Sequence, residues 1–151
     1  MNIFYVDSDP VVAAEMMCDK HVVKMILESA DIDGLYKTAH KNHPSTVWAR
    51  ENSSNYEWLW QHMDALMKEY TKRYKKHHAT ERLLHHLWQL PRNIGHSDFS
   101  PPPQCMPDEY KCNPNSASRA DCVSAYRGYY LGVKMYMATW KFTEAPAWTC
   151  A

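Results

Sequence analysis

The sequence predicts a mainly α-helical domain of four to five helices, with a short extended N-terminal segment and a long proline-rich loop. Three observations carry that expectation. Apolar residues recur three and four apart over several long stretches, only one short segment has strand-forming composition, and six prolines crowd into residues 91–115. A length of 151 residues suits one domain, residues 1–151, with 91–115 as a loop or lid.

Asn2 to Asp7 (NIFYVD) is β-branched and aromatic, fit for one short strand or for an extended arm lying on helices. Ser8 and Asp9 before Pro10 are a cap followed by proline at the first helical position. One helix is expected from Pro10 to about Ser29, with Val11, Ala14, Cys18, Val22, Met25 and Ser29 inward. Met17, Lys20, His21, Lys24 and Glu28 share the neighbouring face, so Lys20, His21 and Lys24 form a compact basic cluster.

Asp31 to Gly34 reads as a turn, followed by Leu35 to Asn42 and by His43-Pro44, where helical geometry is disfavoured before proline. A helix begins near Ser45, with Trp48 and Arg50 in its first turns and a break at Ser53-Ser54-Asn55. Tyr56, Trp60, Met63, Met67, Tyr70 and Tyr74 then mark the strongest helix. Its end, Lys72 to His78 (KRYKKHH), suits the negative pole of the helix dipole and is also a candidate nucleic-acid contact. Thr80 is expected to cap a short helix carrying Leu83, Leu84 and Leu87, stopped by Pro91. Ser118 and Asp121 resemble a capping box opening a last helix to about Ala138, with Tyr126, Tyr129, Val133 and Met137 buried. If helix persists through Trp140, Arg127, Tyr130, Lys134 and Lys141 share a basic, aromatic face.

Seventeen basic and seventeen acidic residues balance, so any attraction for phosphate must be local. Nine histidines, ten tyrosines and six tryptophans supply stacking surface and donors, and they also pack. The N-terminus lacks signal-peptide character and no apolar run is long enough to span a bilayer, which leads us to expect a cytoplasmic protein with no membrane partner. Five cysteines without C-x-x-C spacing argue against a disulfide framework and against a zinc module. The only metal arrangement ligand type suggests is Cys18 and His21 joined by Cys105 and Cys112, and the expectation is no metal.

The two basic, aromatic-flanked faces offer what a phosphate-bearing ligand with a flat base requires: point charge, a planar fork and stacking rings. Each residue has a plainer use beside that one. The lysines suit any solvated helix, His21 a helix surface or a phosphate donor or general acid, and His43 a turn or an anion-binding helix start. Arg50 and Asn55 can cap neighbouring turns or reach a ligand, and Asp108 and Glu109 can pair with lysine, bind Mg²⁺ or act as a base. Candidate catalytic groups are His21 and Glu109. Candidate ligand contacts are Lys20, His21, Lys24, His43, Arg50, Asn55, Arg127, Tyr130, Lys134 and Lys141. The glycine-rich phosphate and dinucleotide motifs, H-E-x-x-H and G-x-S-x-G are all absent.

The segments Cys18-Asp19-Lys20-His21-Val22-Val23-Lys24, Asn42-His43-Pro44-Ser45, Met106-Pro107-Asp108-Glu109-Tyr110-Lys111 and the Tyr126-Arg127 helix ending in Ala138-Thr139-Trp140-Lys141 resemble a family of small proteins of T-even-like tailed phages and cyanophages. The resemblance runs over almost the whole chain and brings no assigned activity. It implies members with a longer insertion where this chain has only Asp31-Ile32-Asp33-Gly34, so no role of that insertion transfers. A phage setting suggests nucleotide-centred chemistry. The leading expectation is capture of a small phosphorylated nucleotide, such as a host-defence signal. The alternatives are an enzyme of nucleotide or DNA-base modification, with DNA as partner, and a non-catalytic host-interaction protein. A pocket shared across a homodimer or higher oligomer is compatible with each.

Overall fold

The computed structural model describes residues 2–30, 41–113 and 118–150. Among these residues there are helices and no strand, in agreement with the mainly α expectation. The Asp31–Gly34 turn and most of the Leu35 to Asn42 segment lie outside the described residues.

Helix α1 (Pro10–Glu15) begins where the Asp9 carboxylate accepts the amides of Val11 and Val12. The single helix expected to Ser29 is broken: α1 stops at Glu15 and α2 (Asp19–Ala30) starts in a new direction. The cause is tertiary. Arg73 donates from Nη2 to the Glu15 carbonyl at 2.9 Å and from Nη1 to the Met17 carbonyl at 2.8 Å, and Trp140 Nε1 donates to Met16 at 3.2 Å. The Asp19 amide, which would close the next helical turn, bonds Thr139 O instead at 2.8 Å. With the axis turned, Val11 falls off the buried stripe and is 48% exposed.

Helix α3 (Pro44–Ala49) is capped by the His43 ring, and α4 (Ser53–Tyr74) by the Asn52 side chain, so the expected break falls at residues 50–52. Lys75 ends α4 in the left-handed region at φ 54°. His78, rather than Thr80, caps the following 3₁₀ turn (Ala79–Leu83), which leads into α5 (Leu84–Leu87). A second 3₁₀ turn (Asp108–Tyr110) interrupts the proline-rich loop. Helix α6 (Arg119–Val133) opens with the reciprocal Ser118–Asp121 capping box and stops short of Ala138, giving way to a 3₁₀ turn at Met135–Met137.

The long helix α4 packs on both α1 and α2, and the N-terminal segment lies over the assembly as an extended arm. Ile3, Phe4, Tyr5 and Val6 are all buried in that arm, and Trp48 and Trp58 fill the core, with the Trp58 indole N–H donating to Ser8 O at 2.9 Å.

Arg73 sits at the centre with a side chain of 0% exposure, bonded to Glu69 Oε2 at 2.9 Å and to Asp19 Oδ1 at 3.2 Å. Removing it strands two buried carboxylates. Arg73→Met should therefore cost on the order of 3–5 kcal/mol and lower Tm by on the order of 10 °C, measured by scanning calorimetry.

His62 is fully buried, stacked on Trp58 at 5.1 Å, and its Nδ1 lies 2.9 Å from Pro10 O. A carbonyl only accepts, so the proton is on Nδ1 of a neutral ring. Burial pulls the pKa down to about 4, and burial with Lys134 and Lys24 does the same to His21. The unfolded chain protonates these rings near pH 6.5, so it holds more protons than the fold between about 6.5 and 4. Stability contributed by each ring, on the order of 3 kcal/mol, is present above 6.5 and lost as pH falls toward 4. His62→Gln keeps an N–H donor without a titration, and its Tm should fall less steeply than that of the parent between pH 7 and pH 4.5.

Candidate active site and nucleic-acid interface

Phe4 is a bulky residue held at φ 52°, in the left-handed region that such side chains avoid. Conformations of this kind cost about 1–3 kcal/mol and persist where surrounding contacts over-determine them. Here the Asn2 side-chain oxygen accepts the Phe4 amide at 3.1 Å, and Asn2 Nδ2 donates to Cys105 O at 2.7 Å. The Phe4 carbonyl accepts from the Val6 amide at 2.7 Å. The ring that this backbone turns inward stacks on His21, with centroids 4.2 Å apart and planes 19° apart.

His21 projects from the first turn of α2 and is only 5% exposed. Its Nδ1 is 2.8 Å from the Tyr130 hydroxyl, whose oxygen also accepts the Cys18 amide at 3.2 Å. Burial holds the Tyr130 phenol protonated far above its ordinary range, while His21 is neutral at physiological pH. The pair is a fixed, uncharged hydrogen-bonding unit. A charged phosphate donor or a general acid at neutral pH, both open from sequence, does not fit that state of His21.

Around this unit the walls are aromatic. Tyr129 lies 6.3 Å from Phe4, and Tyr110 lies 5.6 Å from Tyr129. Tyr110 is fitted against Gly132, where an added Cβ would overlap its hydroxyl and sit 2.8 Å from its ring carbons. That contact docks the Asp108–Tyr110 turn on α6 and brings exposed Glu109 with it. Asp108 is bonded to Lys111 at 2.7 Å, which lowers its pKa. On the other side of Asn2, the Ser45 hydroxyl meets Cys105 Sγ at 3.4 Å, so the start of α3 capped by His43 adjoins the arm.

The Lys134 ammonium lies 5.1 Å from the Tyr129 ring centre and 5.9 Å from that of Phe4, within cation–π range. Lys20 and Lys141 line an open cleft with Asp19, Val23, Tyr74, Thr139 and Phe142. Lys24 pairs with Glu28 at 3.2 Å on an exposed face. Among the described residues no ion pair engages Lys20, Lys134 or Lys141; Lys20 and Lys141 are exposed, while the half-buried Lys134 rests against the rings.

The structure thus gathers Lys20, His21, Lys24, Tyr130, Lys134 and Lys141 about the ends of α2 and α6, and it places the other candidates differently. Arg127 turns to the N-terminal arm, donating to Val6 O at 2.8 Å and Asp7 Oδ2 at 3.2 Å, and lies over Trp148. Because α6 ends at Val133, the continuous Arg127, Lys134, Lys141 helix face does not form. Arg50 donates to Lys41 O at 2.7 Å, and buried Asn55 joins Trp48 O to Ser100. Cys18, Cys105 and Cys112 do not join His21 in a metal site: among the described residues no three potential ligands gather. Asn2, Phe4, Tyr110 and Tyr129 were not among the candidate site residues read from the sequence. For Phe4 no local signal exists, since its conformation follows from the bonds of Asn2 to a loop a hundred residues away.

No helix among the described residues is long and apolar enough to cross a membrane. Comparisons with curated proteins and with solved structures return no match. The model of one family, pyrimidine dimer DNA glycosylase, matches residues 1–82, and that stretch contains Asn2, Phe4, Lys20, His21 and Lys24. This match overturns the expectation of a protein that sequesters a small phosphorylated nucleotide, because the family is one of DNA-repair enzymes, and DNA-base modification, the alternative reading, is favoured instead. The resemblance to small phage proteins is met at the level of a phage-type family. With more than half of its length covered by that model, the chain belongs to the pyrimidine dimer DNA glycosylase family.

Proposed function

We propose that the protein is a DNA glycosylase that breaks the glycosidic bond of one pyrimidine of a dimer lesion in duplex DNA, using the region in which Lys134 overlies the buried Phe4, His21 and Tyr130. The observation that carries this reading is the strained Phe4 ring stacked on a neutral, Tyr130-bonded His21 beneath lysines that no ion pair engages among the described residues, with Phe4, His21 and Lys20 inside the stretch the family model covers. A glycosylase draws its target nucleotide out of the stack into a pocket that reads the base by hydrogen bonds and aromatic contact. The buried, uncharged His21–Tyr130 pair braces the Phe4 and Tyr129 rings from within, and Lys20, Lys134 and Lys141 supply the attraction for the backbone.

In the reaction, the bond between sugar C1′ and the pyrimidine nitrogen breaks with its electron pair going to the base, water adds at C1′, and the proton the water loses balances the one the base takes up. The base stays joined to its neighbour through the dimer, and the sugar becomes an abasic site. Positive charge grows on the sugar meanwhile. Glu109, on the turn that Tyr110 fastens to α6, is our candidate carboxylate for steadying that charge. The phage resemblance sets this repair inside an infected bacterial cell.

The direct test incubates the protein with ultraviolet-irradiated and unirradiated duplex oligonucleotides and then cleaves abasic sites with alkali. Breaks at dipyrimidine positions in irradiated DNA alone are expected, and an intact irradiated strand would end the glycosylase reading. Glu109→Gln should lower the rate at least about tenfold with little change in DNA affinity. A second measurement follows binding across a salt series: Lys134→Ala should weaken duplex affinity on any sequence and reduce the salt slope by about one, whereas Lys134→Arg should retain most of both.

A further inference from the structure

We propose that Tyr136 is a wedge that enters the base stack beside the lesion and fills the gap left by the extruded nucleotide; the inference rests on the glycosylase reading and adds a residue to it. Tyr136 is 88% exposed, the most exposed large hydrophobic side chain among the described residues. Such a ring in water is unremarked when it hangs from a loose loop, but this one stands on a braced turn. Lys134 N bonds Tyr130 O at 2.8 Å, Met137 N bonds Lys134 O at 3.1 Å, and Ala138 N bonds Met135 O at 3.2 Å. Met135 and Met137, on either side, pack against the core. The chain beyond is tied down in turn, since Thr139 O accepts the Asp19 amide and Lys141 N donates to Asp19 Oδ2 at 2.9 Å.

The surroundings argue for nucleic acid as the occupant. Tyr136 lies two residues after Lys134, whose ammonium covers the Phe4 and Tyr129 rings, and shortly before Lys141 on the edge of the neighbouring cleft. The segment from Lys134 to Lys141 therefore carries an aromatic ring outward between two cations of the chain, the first of which overlies the Phe4 ring that stacks on His21. Lysines that hold phosphates on both sides of a ring position it against the stack. Inserted apolar side chains partly unstack and kink a duplex, and the ring's attachment to a fixed turn keeps the ordering cost of insertion small. Phe142, 57% exposed, differs in already lying edge-on to Tyr74 at 5.6 Å.

The test compares wild type, Tyr136→Ala and Tyr136→Phe, whose equal Tm values would establish that all three are folded. On a duplex with 2-aminopurine next to the dimer, wild type and Tyr136→Phe should raise the fluorescence as neighbouring bases unstack, and Tyr136→Ala should not. Formation of abasic sites by Tyr136→Ala should fall by about tenfold or more on duplex but hardly at all on the same lesion in single-stranded DNA, where there is little stack to open. Equal fluorescence and equal duplex rates for Tyr136→Ala and wild type would overturn the wedge, as would equal losses on single and double strands. If wild type leaves no abasic site at all, the glycosylase reading falls, and the fluorescence comparison still decides whether Tyr136 enters the stack.

Discussion

The Arg73 guanidinium is the constraint on which the rest of the molecule hangs. Four of its hydrogens meet Glu69, Asp19 and the carbonyls of Glu15 and Met17, so a single side chain of α4 fixes the end of α1, the start of α2 and the bend between them. A buried charge is tolerated only with nearly complete hydrogen bonding, which demands one geometry. Asp19 passes that geometry onward. Its second oxygen receives the Thr139 hydroxyl and the Lys141 amide, and the C-terminal segment is thereby bound to α2.

The placing of His21 and Lys20 follows from the position of α2, as that of Phe4 follows from the Asn2 bonds. Two residues after Asp19, His21 points back toward Tyr130 and Phe4, while Lys20 points out to the cleft. Uncharged polar groups and rings are held inside and lysines outside. This separation suits an enzyme that attracts DNA by its phosphates and handles one extruded base by shape and neutral hydrogen bonds. The strained Phe4 fits the same view, because a flat ring parallel to His21 needs a backbone that the arm would not adopt unaided.

The helix content, the Ser118–Asp121 and Asp9–Pro10 starts, the long α4 and the proline-rich loop were legible from spacing and capping chemistry alone. That Lys20, His21 and Lys24 stand together on one helix was legible too, but not that His21 is buried while Lys20 and Lys24 are exposed. The break between α1 and α2 was not, since apolar spacing runs through it without interruption and only the partners Arg73, Trp140 and Thr139 disrupt the ladder. Arg127 misled for a related reason. Its spacing to Lys134 suggested a ligand face, while the carbonyl of Val6 and the carboxylate of Asp7, distant in sequence, claim its hydrogens.

By itself, then, the sequence determined where α1 and α6 begin, which residues are available as cations and rings, and that no global charge draws the protein to DNA. Those are local properties, set by backbone capping, periodicity and composition. The tertiary structure decided which cations remain free, that His21 is neutral, and that Phe4 is turned against it. Each of these depends on burial and on hydrogen-bond partners brought together from far along the chain, and no local window contains them.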